Sequence, residues 1–379
     1  MDATRSLRAR VSRGLIAALA ALTPVPVQAQ AEADRSTNVR LVERFEYGAG
    51  DGAFWVGSDI DFRGRYAYGA QLGRGGGVHV FDTAGRKPRE IAFVPCPGFQ
   101  NDIAVVKPGL IALGFHDSQC SRVRSGIQLI DVRNPRTPRL LGAVKIPDNG
   151  THTLTVYPGK PLIYSSPGGS GSPETIVDVA DPRNPKIVAG FLPGPRVGCH
   201  DVSFHFDSSK KLGICAGQNA TQIWDVSDPL EPRVLSEVIN PAMWFHHSAA
   251  VTPDGDYLVV GDEGFGACTG ASLPAGAIWI YDIRDPKLPT PVSYFGVHRE
   301  QPTVCTAHNF NFIPGSRYLV SSWYLGGMNV IDLRDPANPK EVAHYSNEGT
   351  DYWSAYWYRG RIYASGVPGF DVFEVRGLP

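Results

Sequence analysis

Methionine is scarce in this chain, with three among 379 residues, and charged residues make up only 19%. Formal net charge is −1. A balance so close to neutral excludes the basic footprint of a nucleic-acid-binding protein. Long apolar runs are also missing. The longest candidate near the N-terminus, Gly14–Leu22, has nine residues, whereas a membrane-spanning helix needs about 20. No GxSxG elbow, phosphate-cradling glycine loop, HExxH pair or zinc-type CxxC spacing occurs. The run around Gly73 (GRGGG) sits in a loop ahead of a strand, which fails the context of a dinucleotide fingerprint.

Glycine and proline are abundant instead, at 42 and 31 residues, spaced between short apolar runs. That mixture suits many short strands joined by tight turns, an all-β chain. The N-terminus has the pattern of an export signal. Arg5, Arg8, Arg10 and Arg13 precede the short apolar run, and small residues offer cleavage after Ala29 or Ala31. Residues 1–29 are therefore expected to be removed, leaving no integral membrane segment and a secreted or periplasmic chain. Their loss takes away four Arg and one Asp and moves the formal charge from −1 to −4.

A repeat dominates what remains. A strand ending in an acid, a proline-containing turn and a second strand recur as IQLIDVRNPRTPRLLGAV from Ile127 and ETIVDVADPRNPKIVAGF from Glu174. Further copies begin at Thr221, Ile278 and Met328, with degenerate ones at Val78 and the C-terminus. The repeated acids are Asp82, Asp131, Asp178, Asp225, Asp282, Asp332 and Glu374, spaced 49, 47, 47, 57, 50 and 42 residues apart. That spacing accommodates four strands per repeat. Acids placed before a proline turn are expected to cap it rather than to catalyse.

Seven repeats predict a seven-bladed β-propeller over residues 37–379. The last repeat holds only three strands, and the first mature strand, Val39–Tyr47, resembles the missing fourth. The N-terminal strand is thus expected to complete the C-terminal blade and remove the open edge. The units QLIDV, TIVDV and NVIDL resemble the LVIVD repeat of exported bacterial β-propeller proteins. This resemblance covers nearly the whole mature chain and implies fold and compartment.

Aligning the repeats at the start of each inner strand gives the column Ser58, Asn101, His152, His200, His247, His308 and Trp353. Four consecutive blades place a histidine at one point, out of ten histidines in the chain. Equivalent positions of inner strands form a ring, so these four are candidate ligands for a divalent transition metal: Fe, Cu or Zn. A four-histidine propeller ring resembles the iron site of carotenoid-cleaving oxygenases, and a histidine-bearing propeller resembles the copper-dependent methanethiol oxidases. Such histidines also serve structurally, bonding neighbouring blades.

Loops at the same end supply Glu263 and His116, and the inner-strand position after His200 supplies Asp201, as candidate acid, base or orienting groups. Trp244, Phe245, His246, Trp323, Tyr324, Trp353 and Asn101 are candidate substrate contacts. Six cysteines in an exported chain fit three disulfides. Blade register predicts Cys96–Cys120, Cys199–Cys215 and Cys268–Cys305. Two functions fit: a metal-dependent oxidase, oxygenase or lyase acting on a small apolar or aromatic molecule, or a non-catalytic surface propeller binding a protein or glycan.

Overall fold

The structure is a computed structural model that describes residues 33–379, apart from 49–55, 118–119, 121, 148–149, 169–171, 195–196, 267, 269–272 and 301–302. The proposed export signal lies outside the described residues. Seven small antiparallel sheets form the blades of a propeller. Their inner strands are Gly57–Arg63, Phe99–Lys107, Thr153–Val156, Asp201–Phe206, His246–Val251, Phe310–Phe312 and Asp351–Tyr358, in blades 1 to 7. Within each blade the strands pair in chain order from this inner strand outward, except at closure.

Closure follows the expectation. Val39–Glu46 pairs antiparallel with Gly369–Val375, adding the fourth strand to blade 7. Arg44 pins this seam by donating from Nε and Nη2 to Asp371, at 2.8 and 2.6 Å. The Tyr352 hydroxyl donates to the same carboxylate. A further two-residue strand, Asp34–Arg35, lies ahead of the expected domain start at residue 37 and pairs with the outer strand of blade 6.

Seven buried apolar clusters occupy the seven blade interfaces, one each. The alternating β-branched and aromatic residues of the middle strands feed both faces of every blade, so those strands are buried up to the acid at their end. Outermost strands such as Lys186–Phe191 are largely exposed.

The recurrent acids cap turns. Asp131, Asp178, Asp225, Asp282 and Asp332 each accept from the backbone N–H two residues on, at 2.8–3.0 Å. Asp181, Asp228, Asp285 and Asp335 repeat the device in the following turn. Arg133, Arg284 and Arg334 add forked side-chain bonds to their acids. Because the arginines are mostly exposed, the ion pairs contribute little and the cap carries the effect. Asp332→Ala is expected to cost about 1 kcal/mol, measured as a lowered urea midpoint with unchanged slope.

A second set of bonds stitches the inner strands together around the axis. Ser58 donates to the Asn101 carbonyl, Leu154 N to Asp102, Thr153 to the His200 carbonyl and Ser203 to the Ala249 carbonyl. Ser248 continues to the His308 carbonyl, Ser322 to the Trp353 carbonyl, and Ser354 returns to Ser58. Asp102, Thr153, Ser248 and Ser354, which follow the histidine column, thus tie blades 2, 3, 5 and 7 to the next, and Ser58, Ser203 and Ser322 do so in blades 1, 4 and 6.

Candidate functional site

The histidine column sits where inner strands begin, and local irregularity turns it inward. Ordinary strand alternation would send a side chain at this register toward the neighbouring blade. In blade 5 the ladder slips between His246 and Ser248, leaving His247 as the extra residue of a bulge. Blades 1, 2 and 7 slip at the same register, around Ser58, Asn101 and Trp353. In blades 3, 4 and 6 the histidine instead immediately precedes its strand, or nearly so. There its N–H donates to the end of the second strand: His152 to Ser166, His200 to Ala216 and His308 to Ser322. Bulges commonly re-aim side chains beside functional sites.

The result is a continuous arc of rings. Centroids lie 5.9 Å apart for His116–His152, 4.1 Å for His152–His200, 4.2 Å for His200–His247 and 4.1 Å for His247–His308. Trp353 and Tyr324 each lie 4.7 Å beyond His308. The four ring histidines line an axial cavity of about 150 Å³ together with Asn101, Asp201 and Trp353.

Two carboxylates bracket this arc. Glu263 follows the second strand of blade 5, with Oε2 3.5 Å from His247 Nε2 and Oε1 3.7 Å from His308 Nε2. On the other side, Asp201 Oδ2 lies 3.6 Å from His200 Nδ1 and 3.7 Å from His247 Nδ1. These separations exceed hydrogen-bond length. They are close to the spacing of neighbouring ligands about one metal, about 3.4 Å for tetrahedral bonds of 2.1 Å. Ligand atoms of His200, His247 and Glu263 all fall within 4.8 Å of one another, a group that could hold a metal ion.

Hydrogen bonds prepare the donors. His308 Nδ1 bonds the Trp353 carbonyl, which can only accept, so Nδ1 carries the hydrogen and Nε2 keeps its lone pair. The buried Nδ1 atoms of His200 and His247 have no hydrogen-bond partner and face Asp201. Burial holds His308 down to about 3 and His247 well below the usual imidazole range, the neighbouring rings adding to the effect on His247. His152 is lowered in the same way, and His116 by burial. Neutral imidazole is the form a metal needs. Burial pushes Glu263 up to about 7, against the opposing pull of a 2.5 Å bond from the Tyr324 hydroxyl.

Tyr324 reaches Glu263 because its backbone is left-handed, with φ of 44°, at a loop where an aromatic residue pays strain. The Tyr324 carbonyl accepts from Gly327 and Tyr352, which fixes the turn. Gly73, Asp117, Gly168, Gln218 and Phe265 have positive φ in the corresponding loops of blades 1 to 5. At Gly168 a Cβ would lie 2.6 Å from the His152 ring, so glycine there makes room for the histidine.

Other expected contacts are placed elsewhere. Trp323 is a correction: the left-handed turn sends Tyr324 to the site and Trp323 into the core between blades 5 and 6, 1% exposed. His246 is also turned away, its Nδ1 bonded to the Thr221 hydroxyl and burial holding it down to about 4. Trp244 stands 78% exposed on the rim and is absent from the cavity wall. Phe245 does approach, edge-on to His200 at 5.1 Å. Asn101 lines the cavity but spends its amide donor on the Gln71 and Cys96 carbonyls. His116 reaches the arc only through His152. Phe265, 6.2 Å from Tyr324 and half exposed, was not among the expected contacts; its place in the loop after Glu263 was the available signal.

All three disulfides form as expected: Cys96–Cys120, Cys199–Cys215 and Cys268–Cys305. They tie loops and strand ends at the histidine mouth. No helix among the described residues is long and apolar enough to cross a membrane. The chain matches no protein-family model and no curated protein.

Proposed function

We propose that this chain is an exported, metal-dependent propeller enzyme of the LVIVD-repeat kind. It would be an oxidase, oxygenase or lyase acting on a small apolar or aromatic molecule at the histidine mouth. The observation that carries this reading is the convergence of His200, His247 and Glu263 within 4.8 Å, with His308 aimed at the same carboxylate. Fe, Cu or Zn suits a donor set of neutral imidazoles and one carboxylate. Such a metal would supply Lewis-acid or redox chemistry to the bound molecule.

The chain's own groups have assignable roles. Asp201, 3.6 and 3.7 Å from the Nδ1 atoms of His200 and His247, sets a negative charge beside them that would favour a hydrogen on Nδ1 and a lone pair on Nε2, as carboxylates behind metal-bound histidines do. Tyr324 orients Glu263. Phe245, Phe265 and Trp353 offer apolar surface beside the cluster, which favours a substrate with an aromatic or apolar body. Three disulfides and the N-terminal signal pattern support export.

Elemental analysis of the purified mature protein tests the reading. One equivalent of Fe, Cu or Zn is expected, retained through gel filtration and lost in a His200→Ala/His247→Ala variant whose circular dichroism is unchanged. Protein that stays metal-free after incubation with each ion would overturn the enzyme assignment and leave the surface propeller that binds a protein or glycan.

A further inference from the structure

The axial channel opens again at its other end. Inner strands of blades 1 to 3 begin at the histidine mouth, and their far ends enclose a cavity of about 810 Å³. It shares Asp59, Leu154, Thr155 and Tyr356 with the histidine cavity, so the two adjoin at these residues. The volume lies within the range of small-molecule sites, about 300–1,000 Å³. Much of the wall is apolar, from Ala104, Val106, Leu154, Val156, Tyr157 and Pro158. Lys107 and Lys160 reach it from the exposed rim.

The polar groups at the inner end are of one charge sign. Asp59 accepts from the Tyr356 hydroxyl at 2.7 Å and lies against Asp102. Asp61 accepts from Phe62 N and Val105 N, both at 2.6 Å. Asp102 accepts from Ile103 N and Leu154 N. Among the described residues no lysine, arginine or histidine pairs with any of the three, and the exposed Arg63 only weakly offsets Asp61. Burial pushes Asp59 up to about 7 and raises Asp61 and Asp102. Carboxylates removed from water are costly without a cation or proton. A binding site commonly pairs an apolar wall with a few such convergent groups.

We propose that this second cavity binds a small apolar amine. Its ammonium group pairs with Asp59 and Asp61, and its carbon skeleton lies against Val106, Val156 and Tyr157. The ligand supplies the cation that these half-buried acids lack, and charge complementarity distinguishes it from a neutral molecule of equal shape. Because Asp59 and Tyr356 also face the histidine cavity, an occupant here closes the channel from the opposite face. This site stands independently of the metal.

The test uses 2-phenylethylamine and 2-phenylethanol, which share an apolar body and differ in charge. Binding to the intact mature protein is measured at pH 8 by calorimetry and saturation-transfer NMR. The amine is expected to bind at least tenfold more tightly than the alcohol. Asp59→Asn should abolish that preference, and His247→Ala should keep it. Equal affinity for both compounds, or no binding of either at millimolar concentration, overturns the proposal. So does loss of amine binding in His247→Ala, which would place the amine at the histidine mouth. Should Asp59→Asn melt early, Asp61→Asn and the wild-type amine–alcohol contrast decide the matter.

Discussion

Replacing Arg44 by methionine is expected to destabilise the propeller by about 3 kcal/mol, the largest single-residue effect outside the core. Asp371 is 1% exposed, and Arg44 is the cation that compensates it at the seam where Val39–Glu46 closes blade 7. Removing the guanidinium leaves a buried carboxylate with, among the described residues, the Tyr352 hydroxyl as its one remaining side-chain donor. A charge stranded in this way costs several kcal/mol, whereas an exposed pair such as Arg40–Glu374 contributes little when lost. Arg44 keeps about a quarter of its side chain in water, which places the estimate at the lower end of the buried range.

The cost belongs to the orphaned charge, so removing the charge should relieve it. Arg44→Met/Asp371→Asn is expected to recover much of the lost stability, with Asp371→Asn alone milder than Arg44→Met. Urea unfolding of the three variants measures this coupling. Simple additivity of the two substitutions, or an Arg44→Met cost below about 1 kcal/mol, would show that the seam rests on its backbone ladder alone.

That seam was legible in the sequence because a propeller writes its architecture as a repeat. Seven acids at near-constant spacing and one surplus strand at the N-terminus leave closure little alternative. The disulfides followed from the same register, since cysteines in equivalent places of blades 2, 4 and 5–6 meet at one end. The histidine column was legible as well. Its aim was not, because parity along a strand predicts the wrong face. A bulge at His247, and a ring residue placed just before the strand at His152 and His200, override parity. Neither device leaves a mark in the residue types.

Loops hid more. Trp323 and Tyr324 are adjacent aromatics of equal promise on paper, and one left-handed residue decides which becomes core and which meets Glu263. His246 and His247 are likewise neighbours with opposite fates, one bonded to Thr221 and one facing both carboxylates. Asp59, Asp102 and Asp201 each follow their own blade's residue in the histidine column. That Asp59 would border a second cavity while the other two line only the first depends on how far the inner strands diverge, which spacing does not record. Asp34–Arg35 was missed because two residues carry no periodicity.

Metal uptake should reveal Glu263 through its pH dependence. An exposed imidazole near pH 6.5 loses a proton when it binds a metal, so a site of ordinary histidines shows affinity rising steeply through that range. Burial already keeps His247 and His308 neutral there, and their rings have no proton to surrender. Glu263 differs, because burial holds its carboxyl protonated up to about 7. A metal must displace that proton, and affinity then rises about tenfold per pH unit below 7 on its account. The gain across pH 5 to 7 is about a hundredfold, levelling above. The proton released should appear as a buffer-dependent heat in calorimetry. Glu263→Gln is expected to bind more weakly at pH 8 and to lose this component of the slope. Tyr324→Phe, which removes the hydroxyl favouring the carboxylate, should move the levelling point to higher pH while sparing the fold. A wild-type slope unchanged in Glu263→Gln would exclude the carboxylate from the metal site and leave it beside the cluster as an acid.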